Sequence, residues 1–474
     1  MRKSFFRTIF AKDLCKPTNG ASRTQTGMPP LNILLRRSQI LLKLRGMYRT
    51  AIEQLRQWKL RPNRKPMVLL GARQVGKTWL MKEFARTDYS KSVYINFEEE
   101  DALQHLFENN FDIDRILKSI ELRFQVSVDD KTLLIFDEIQ SVRRGVTSLK
   151  YFYEKVPHLH IMVADSMLGL STAESIPVGK VDYLRLYPMT FQEFLLALGK
   201  EQVAQCINNN DWPLLQSVRD QLIDELKNYY YVGGMPEAVE AFVWRRDYDE
   251  VRRIQNNILL AYEGNFAKHA PADVVPRIRM VWNSLPSQLA RENKKFIYGV
   301  VKSGARAKDF ELALQWLVDV GLVIKVNRTK AGLLPLKAYE DMAAFKLFTL
   351  DVGLLCAQNK TRAETLVWGN ELFSTFKGAL TEQYVAQQLS TFVDQLYYWS
   401  AENSSGEIDF LAQVNDKVTP IEVKAEENLK AKSLHTFVNK YQGLHGLRLS
   451  MSDYRRQDWM TNVPLYALGS HLFE

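Results

Sequence analysis

Cysteine is scarce in this chain: three among 474 residues, at Cys15, Cys206 and Cys356. The number is odd and no C-x-x-C spacing occurs, which argues against a disulfide framework or a zinc site and for a reducing compartment, here the cytoplasm. Long apolar runs are also missing. No window approaches 18 uninterrupted apolar residues, so no transmembrane helix is expected, and no secretory signal pattern is present. The third shortage is acid at the N-terminus. Residues 1–46 carry ten of the 63 Lys and Arg but only Asp13 of the 54 acids, so the rest of the chain holds 53 of each sign. The formal charge of +9 therefore belongs to the first 46 residues, and it does not mark the body of the protein as a nucleic-acid binder. What is present is ordinary for globular protein, 46 % hydrophobic and 25 % charged residues, and the length suits two to four domains.

Within the basic extension, residues 13–31 are rich in Thr, Ser, Gly and Pro and read as disordered, while Leu31–Arg45 is apolar and basic, as in a short amphipathic helix. Three readings stay open. The extension is a basic arm for nucleic acid or a membrane surface, or it resembles an organellar transit peptide, or translation starts at Met47.

The most informative string is Gly71-Ala72-Arg73-Gln74-Val75-Gly76-Lys77-Thr78, a complete G-x-x-x-x-G-K-[ST] loop. The apolar run 67–70 before it reads as a buried strand, and residues 79–85 after it have helical spacing. Strand, glycine loop and helix separate a phosphate-binding loop from a glycine turn that happens to precede a surface lysine. The two glycines let backbone amides point at phosphate oxygens and the helix N-terminus adds its positive dipole end. Lys77 is expected on the β- and γ-phosphates, and the Thr78 hydroxyl on Mg²⁺. Downstream, the apolar strand 132–137 ends in Asp137 and Glu138. Asp137 is expected to hold Mg²⁺ and Glu138 to polarise the attacking water. Arg73, Arg143, Arg144 and Lys180 are candidates for neutralising transition-state charge, with solvated surface cations as the plainer alternative. Asp165 and Ser166 are candidate γ-phosphate sensors, or simply a turn after a strand.

Candidate strands at 67–70, 92–97, 132–137, 159–164 and 182–187 alternate with helical patterns, the signature of a parallel sheet covered on both faces. Ligands bind at the carboxyl ends of such strands, where both motifs fall. The fold class is thus α/β, a P-loop ATPase core over residues 47–190 with a helical lid over 191–270, broken at Gly233-Gly234-Met235-Pro236. Residues 271–340 read as helix, helix, strand and hairpin, a winged-helix pattern in which Arg306 and Lys308 open the helix that would read DNA. Protein contact is the other use of such a module.

Residues 376–424, within a C-terminal domain over 341–474, hold a second constellation. Glu382 lies on a helix over 376–389, Asp409 on a strand, and Glu422 and Lys424 alternate onto one face of the next strand. Carboxylates so placed hold Mg²⁺ or Mn²⁺ in metal-dependent phosphodiesterases, with Asp409 and Glu422 as ligands here and Lys424 orienting water or offsetting phosphate charge. A charged pair on a solvated sheet face is the bland reading of the same residues.

The ordered series GARQVGKT, YINFEE, LLIFDEIQ, LYPMTFQEFL, YYVGGMPEAV, DFELALQWLVDVGLV, FKLFTLDVGLL, FKGALTEQYV, GEIDFL and IEVKA resembles a family of prokaryotic AAA-like ATPases over residues 47–445. Those proteins carry a C-terminal domain of unknown function with a restriction-endonuclease-like core. The resemblance implies ATP and Mg²⁺ at residues 71–78 with Asp137 and Glu138 as the acidic pair, a winged helix, and a nuclease-like fold with Glu382, Asp409, Glu422 and Lys424 at its motif positions. The sequence departs from the family at Ala164-Asp165-Ser166 and Gly179-Lys180, which leaves the sensor and arginine roles unassigned. Two functions are compatible: an ATPase that controls a nuclease-like domain acting on DNA, or an ATP-gated switch or scaffold that binds nucleic acid or protein without cleavage. Expected partners are ATP, DNA and further copies of the same chain.

Overall fold

The computed structural model describes residues 47–107, 110–164, 177, 179–292, 294–367, 374–401, 406–426 and 431–473. The N-terminal extension, Asp165 and Ser166 lie outside the described residues.

Five strands build the first sheet: Met67–Leu70 (β1), Lys91–Asn96 (β2), Thr132–Asp137 (β3), His160–Ala164 (β4) and Asp182–Arg185 (β5). Their order is β2-β3-β4-β1-β5 and every pair is parallel. The three central strands are the most apolar because helices cover both faces; β3 and β4 are buried along their whole length, whereas β5, at an edge, alternates between half-buried and exposed residues. Register sets Asp137 beside Asn96 on one side and Ala164 on the other, so the acidic pair emerges at the carboxyl edge of the sheet.

Helices follow from Phe191 onward. Thr190 and Glu193 form a capping box at the start of Phe191–Ala197, which satisfies two orphan amides of the first turn. Helix Arg219–Val232 ends at Gly233, whose φ of +73° suits glycine, and Pro236 opens the next helix, Pro236–Arg245. The break is packed as well as turned. A Cβ on Gly234 would lie 2.1 Å from the Met189 carbonyl oxygen. The long helix Tyr248–His269 then crosses back toward the phosphate loop.

The second sheet has eight strands: Val323–Thr329 (β6), Glu340–Thr349 (β7), Leu396–Ser400 (β8), Glu407–Val414 (β9), Lys417–Val423 (β10), Gly446–Ser450 (β11), Arg455–Arg456 (β12) and Met460–Pro464 (β13). Their order is β12-β13-β11-β10-β9-β8-β6-β7. The hairpin expected as a wing is β6–β7. It forms the edge of this sheet, because β6 pairs in parallel with β8 on its other side. A division at residue 340 falls inside the hairpin, where Thr329 faces Glu340 and Arg328 faces Asp341.

One apolar core runs from the phosphate-loop side of the first sheet (Leu69, Ile135) through the lid (Tyr229, Phe242) to the second sheet (Phe348, Phe410). Each such side chain contributes about 1.5–3 kcal/mol on burial. Helix Ser374–Leu389 stitches the parts with glutamines. Gln388 accepts from the Phe191 amide at 2.9 Å, Gln387 donates to Asp351 at 3.0 Å and accepts from the Val352 amide at 2.8 Å, and Gln383 accepts from the Thr349 amide at 2.8 Å. Buried amides satisfied this fully act as fixed joints.

Candidate nucleotide site and a buried carboxylate–lysine cluster

The loop after β1 has the backbone its glycines allow: φ is +142° at Gly71, +65° at Gln74 and +95° at Gly76. A Cβ on Gly71 would sit 2.2 Å from the Leu186 carbonyl oxygen, so glycine is required by space as well as by φ. Helix Lys77–Asp88 starts directly behind the loop. The Lys77 ammonium donates to the Gly71 carbonyl at 2.7 Å and the Ala72 carbonyl at 2.9 Å, folding back over the cradle in which phosphate oxygens would replace those carbonyls. Thr78 Oγ1 donates to Asp137 Oδ2 at 2.8 Å, and the Tyr94 hydroxyl donates to the same oxygen at 2.8 Å. The two motifs, 59 residues apart, therefore meet. A hydroxyl and a carboxylate with an octahedral water shell are the oxygen donors Mg²⁺ takes. Burial raises the Tyr94 pKa and Asp137 raises it further, so Tyr94 remains a donor.

Glu138 follows with φ of +53°, an uncommon conformation for a non-glycine residue that the surrounding structure must hold. Burial raises its carboxyl pKa, Asp137 and Glu98 add to the rise, and the Gln140 amide opposes it. A carboxyl pushed upward in this way is a better proton acceptor.

These residues line a cleft of about 540 Å³ whose other wall is the lid, through Pro236, Glu237, Glu240 and Lys268. The lid also holds the loop. The Arg73 guanidinium reaches Asn265 and lies 3.1 Å from His269 Nε2, and the Tyr262 hydroxyl donates to the Arg73 carbonyl at 2.8 Å. Burial and then Arg73 lower the His269 pKa, which suits a neutral ring accepting from arginine. Of the cationic candidates only Arg73 borders the cleft. Arg144 packs over Phe111 at 4.1 Å and Lys180 pairs with Glu154 at 2.9 Å.

Arg49 was not legible from any motif. It is 3 % exposed, donates to the Val75 carbonyl at 2.7 Å and the Tyr187 carbonyl at 2.6 Å, and pairs with Glu193 at 3.3 Å. Glu193 in turn accepts from the Thr50 amide and the Thr190 amide. A planar fork over three acceptors is something arginine does and lysine does not.

The second constellation also converges. Asp409 accepts from the Val423 amide at 2.7 Å, Lys424 pairs with Glu422 at 2.6 Å, and Glu382, from helix Ser374–Leu389, pairs with Lys294 at 2.6 Å and with Lys346 at 3.8 Å. Lys346 also pairs with Glu407. Burial pushes the Asp409 carboxyl up to about 8, and Glu382 and Glu422 add to that against Lys346. For Glu382 burial acts upward too, but Lys346 and Lys294 outweigh it and its pKa falls. Burial works against the Lys424 and Lys346 ammoniums, and the carboxylates overcome it. Among the described residues, one oxygen each of Glu382 and Glu422 is buried without a hydrogen-bond partner, the condition of a carboxylate built to receive a cation or a donor. Among the described residues, no group of three or more His, Cys, Asp or Glu side chains has metal-holding geometry. Lys294, Lys346 and Glu407 were absent from the sequence reading; Glu407 was within reach of it, two residues before Asp409 on the same strand.

Residues 63–195 match the family model of the AAA domain. The first sheet and its loop are therefore an AAA-like P-loop ATPase core. Two further models match, both domains of unknown function: DUF8612 over residues 223–365 and DUF4143 over residues 377–468. No curated protein matches the chain. Among solved structures, a Walker-type ATPase of Pyrococcus abyssi is 12 % identical at a TM-score of 0.41, over 66 % of this chain and 96 % of that one. The Thermotoga maritima RuvB Holliday junction branch migration motor is 14 % identical at a TM-score of 0.27, over 62 % and 89 %. Drosophila ORC bound to DNA is 11 % identical at a TM-score of 0.26, over 73 % and 97 %. Likeness at that level leaves function open. The described residues contain no helix long and apolar enough to cross a membrane.

Proposed function

We propose that this protein binds and hydrolyses ATP in the cleft of its AAA domain and uses that cycle to control the C-terminal cluster, which acts on DNA. The observation that carries the ATPase part is the 2.8 Å hydrogen bond joining Thr78 to Asp137, with Glu138 beside it. Backbone amides of 71–78 and Lys77 hold the phosphates, Thr78 and Asp137 hold the cation, and Glu138 takes the proton of the attacking water. Bound Mg²⁺ would neutralise charge on the β- and γ-oxygens. In the C-terminal domain Asp409 and Glu422 are the candidate metal ligands, Glu382 supports them, and Lys424 faces the phosphate.

A second reading is that the C-terminal domain binds without cleaving. Lysines already engage Glu382 and Glu422, which favours a charge-balanced joint over a metal centre. One experiment separates the readings. ATP turnover and Mg²⁺- or Mn²⁺-dependent cleavage of single- and double-stranded DNA are measured side by side, with and without ATP, for the parent, Lys77→Ala, Glu138→Gln, Asp409→Ala and Lys424→Ala. The proposal expects Lys77→Ala to lose ATP binding, Glu138→Gln to bind without turnover, and Asp409→Ala and Lys424→Ala to lose cleavage alone. Parental turnover by Glu138→Gln refutes its role as base, and no cleavage by the parent under any condition leaves the switch.

A further inference from the structure

The charge of the chain beyond residue 46 is neutral in sum and uneven in distribution. Residues 47–474 hold 53 cations and 53 acids, yet residues 277–308 hold eight Lys and Arg and the single acid Glu292. Arg277, Arg279, Arg291, Lys295, Lys302, Arg306 and Lys308 are exposed. Among the described residues Arg291, Lys302, Arg306 and Lys308 enter no ion pair. The neutral total hides this segment, since acids elsewhere offset it.

The segment is fixed in place. Helices Val275–Leu289 and Ala307–Asp319 bury Trp282, Phe310 and Leu317 in the common core. The stretch between them is tied down at Gln288, which exchanges hydrogen bonds with the Ile297 backbone at 2.9 and 3.1 Å. Lys295 bridges to Lys346 on β7, and the Phe296 amide donates to the Phe345 carbonyl at 2.8 Å. Midway along it, Lys294 meets Glu382 of the carboxylate cluster at 2.6 Å. Exposed cations on these two helices and on the connections between them therefore share one segment, which meets the cluster through Lys294.

We propose that the cations of residues 277–292 and 294–308 form a phosphate-backbone track that lays a nucleic-acid strand against the C-terminal cluster. This inference rests on the reading of that cluster as a nucleic-acid site. Binding along such a track is independent of sequence, because cations that neutralise phosphates release counterions and read no base edge. That separates it from a helix reading the major groove. The wing strands of such a module are here the edge of the eight-stranded sheet.

The test is binding of a labelled duplex and a labelled single strand of mixed sequence, by anisotropy over a salt series, to the full chain, to Lys302→Ala/Arg306→Ala/Lys308→Ala, and to the control Lys118→Ala/Arg123→Ala/Arg253→Ala on other helices. Thermal unfolding and ATP turnover confirm that each variant is intact. The track predicts that the first variant lowers the slope of log affinity against log salt by about one for each contacting cation removed, with little dependence on sequence, and that the control leaves the slope unchanged. Equal loss in the control, parental binding by the track variant, or binding of the parent to phosphatidylserine vesicles but not to oligonucleotides overturns it. DNA cleavage by the parent that the track variant retains in full overturns the track and spares the nuclease reading. Binding that depends on the track, without cleavage by any protein, spares the track and removes the nuclease reading.

Discussion

Replacing Arg49 by alanine tests whether the phosphate loop is held from below. The guanidinium spans the Val75 and Tyr187 carbonyls and Glu193 in a site where it is 3 % exposed. Without it, the Val75 and Tyr187 carbonyls lose a donor and Glu193 is left with only hydroxyl and amide partners. Breaking one partner of a buried pair costs about 3–5 kcal/mol. With an unfolding entropy of about 2.1 cal/mol/K per residue over roughly 430 residues, that is a fall in Tm of about 3–6 °C. Arg49→Lys should fall between, since one ammonium does not span three acceptors. Adding Glu193→Gln to Arg49→Ala should recover at least about 1 kcal/mol, because contacting residues couple. The assay is thermal unfolding with and without Mg²⁺-ATP. Ligand at a hundred times its Kd stabilises the parent by about 2.7 kcal/mol, and the variant should gain less, since Val75 belongs to the loop that ATP must meet. A Tm within 1 °C of the parent, or an undiminished shift with ATP, would refute the reasoning.

Gly71→Ala should reduce ATP affinity at least about tenfold by titration calorimetry, since a Cβ meets the Leu186 carbonyl at 2.2 Å and overpacking of this kind costs about 1–3 kcal/mol; Gly179→Ala, in open space at φ +72°, should leave affinity unchanged. Asp351 is buried beneath Gly234 and its carboxyl is pushed up to about 6, by burial against the amides of Gly234 and Leu354 and the side chain of Gln387. The folded state therefore holds this proton more tightly than the unfolded chain, and stability from this group is full below about pH 4 and lost as pH rises through 6, by about 3 kcal/mol in total. Urea midpoints at pH 5 and pH 8 should differ more for the parent than for Asp351→Asn; equal differences would discard the assignment. Lys346→Ala should cost about 3 kcal/mol by urea unfolding, because it leaves buried Glu382 with Lys294 alone and takes the lysine from half-buried Glu407, and Lys346→Met/Glu407→Gln should restore part of that loss.

The ATPase core was legible because its chemistry is local. Residues 67–85 spell strand, loop and helix in one stretch, and 132–138 spell a buried strand with two acids at its tip, so short-range sterics and hydrophobic period suffice. Asp409, Glu422 and Lys424 were legible in the same way, on adjacent strands with a period of two. Thr190-Phe191-Gln192-Glu193 spells a helix cap, but nothing in it announces Arg49, 144 residues earlier.

The sequence by itself therefore determined the phosphate loop, its acidic partner, the helical lid and the strands of the C-terminal cluster. Only the tertiary structure decided which buried charges those residues keep company with. Arg49 under the loop, Lys294 and Lys346 against Glu382, and the hairpin β6–β7 joined to β8 all depend on pairings between distant segments. The physical reason is that a buried charge or an open strand edge must find a partner, and which partner it finds is set by packing, which no local pattern records.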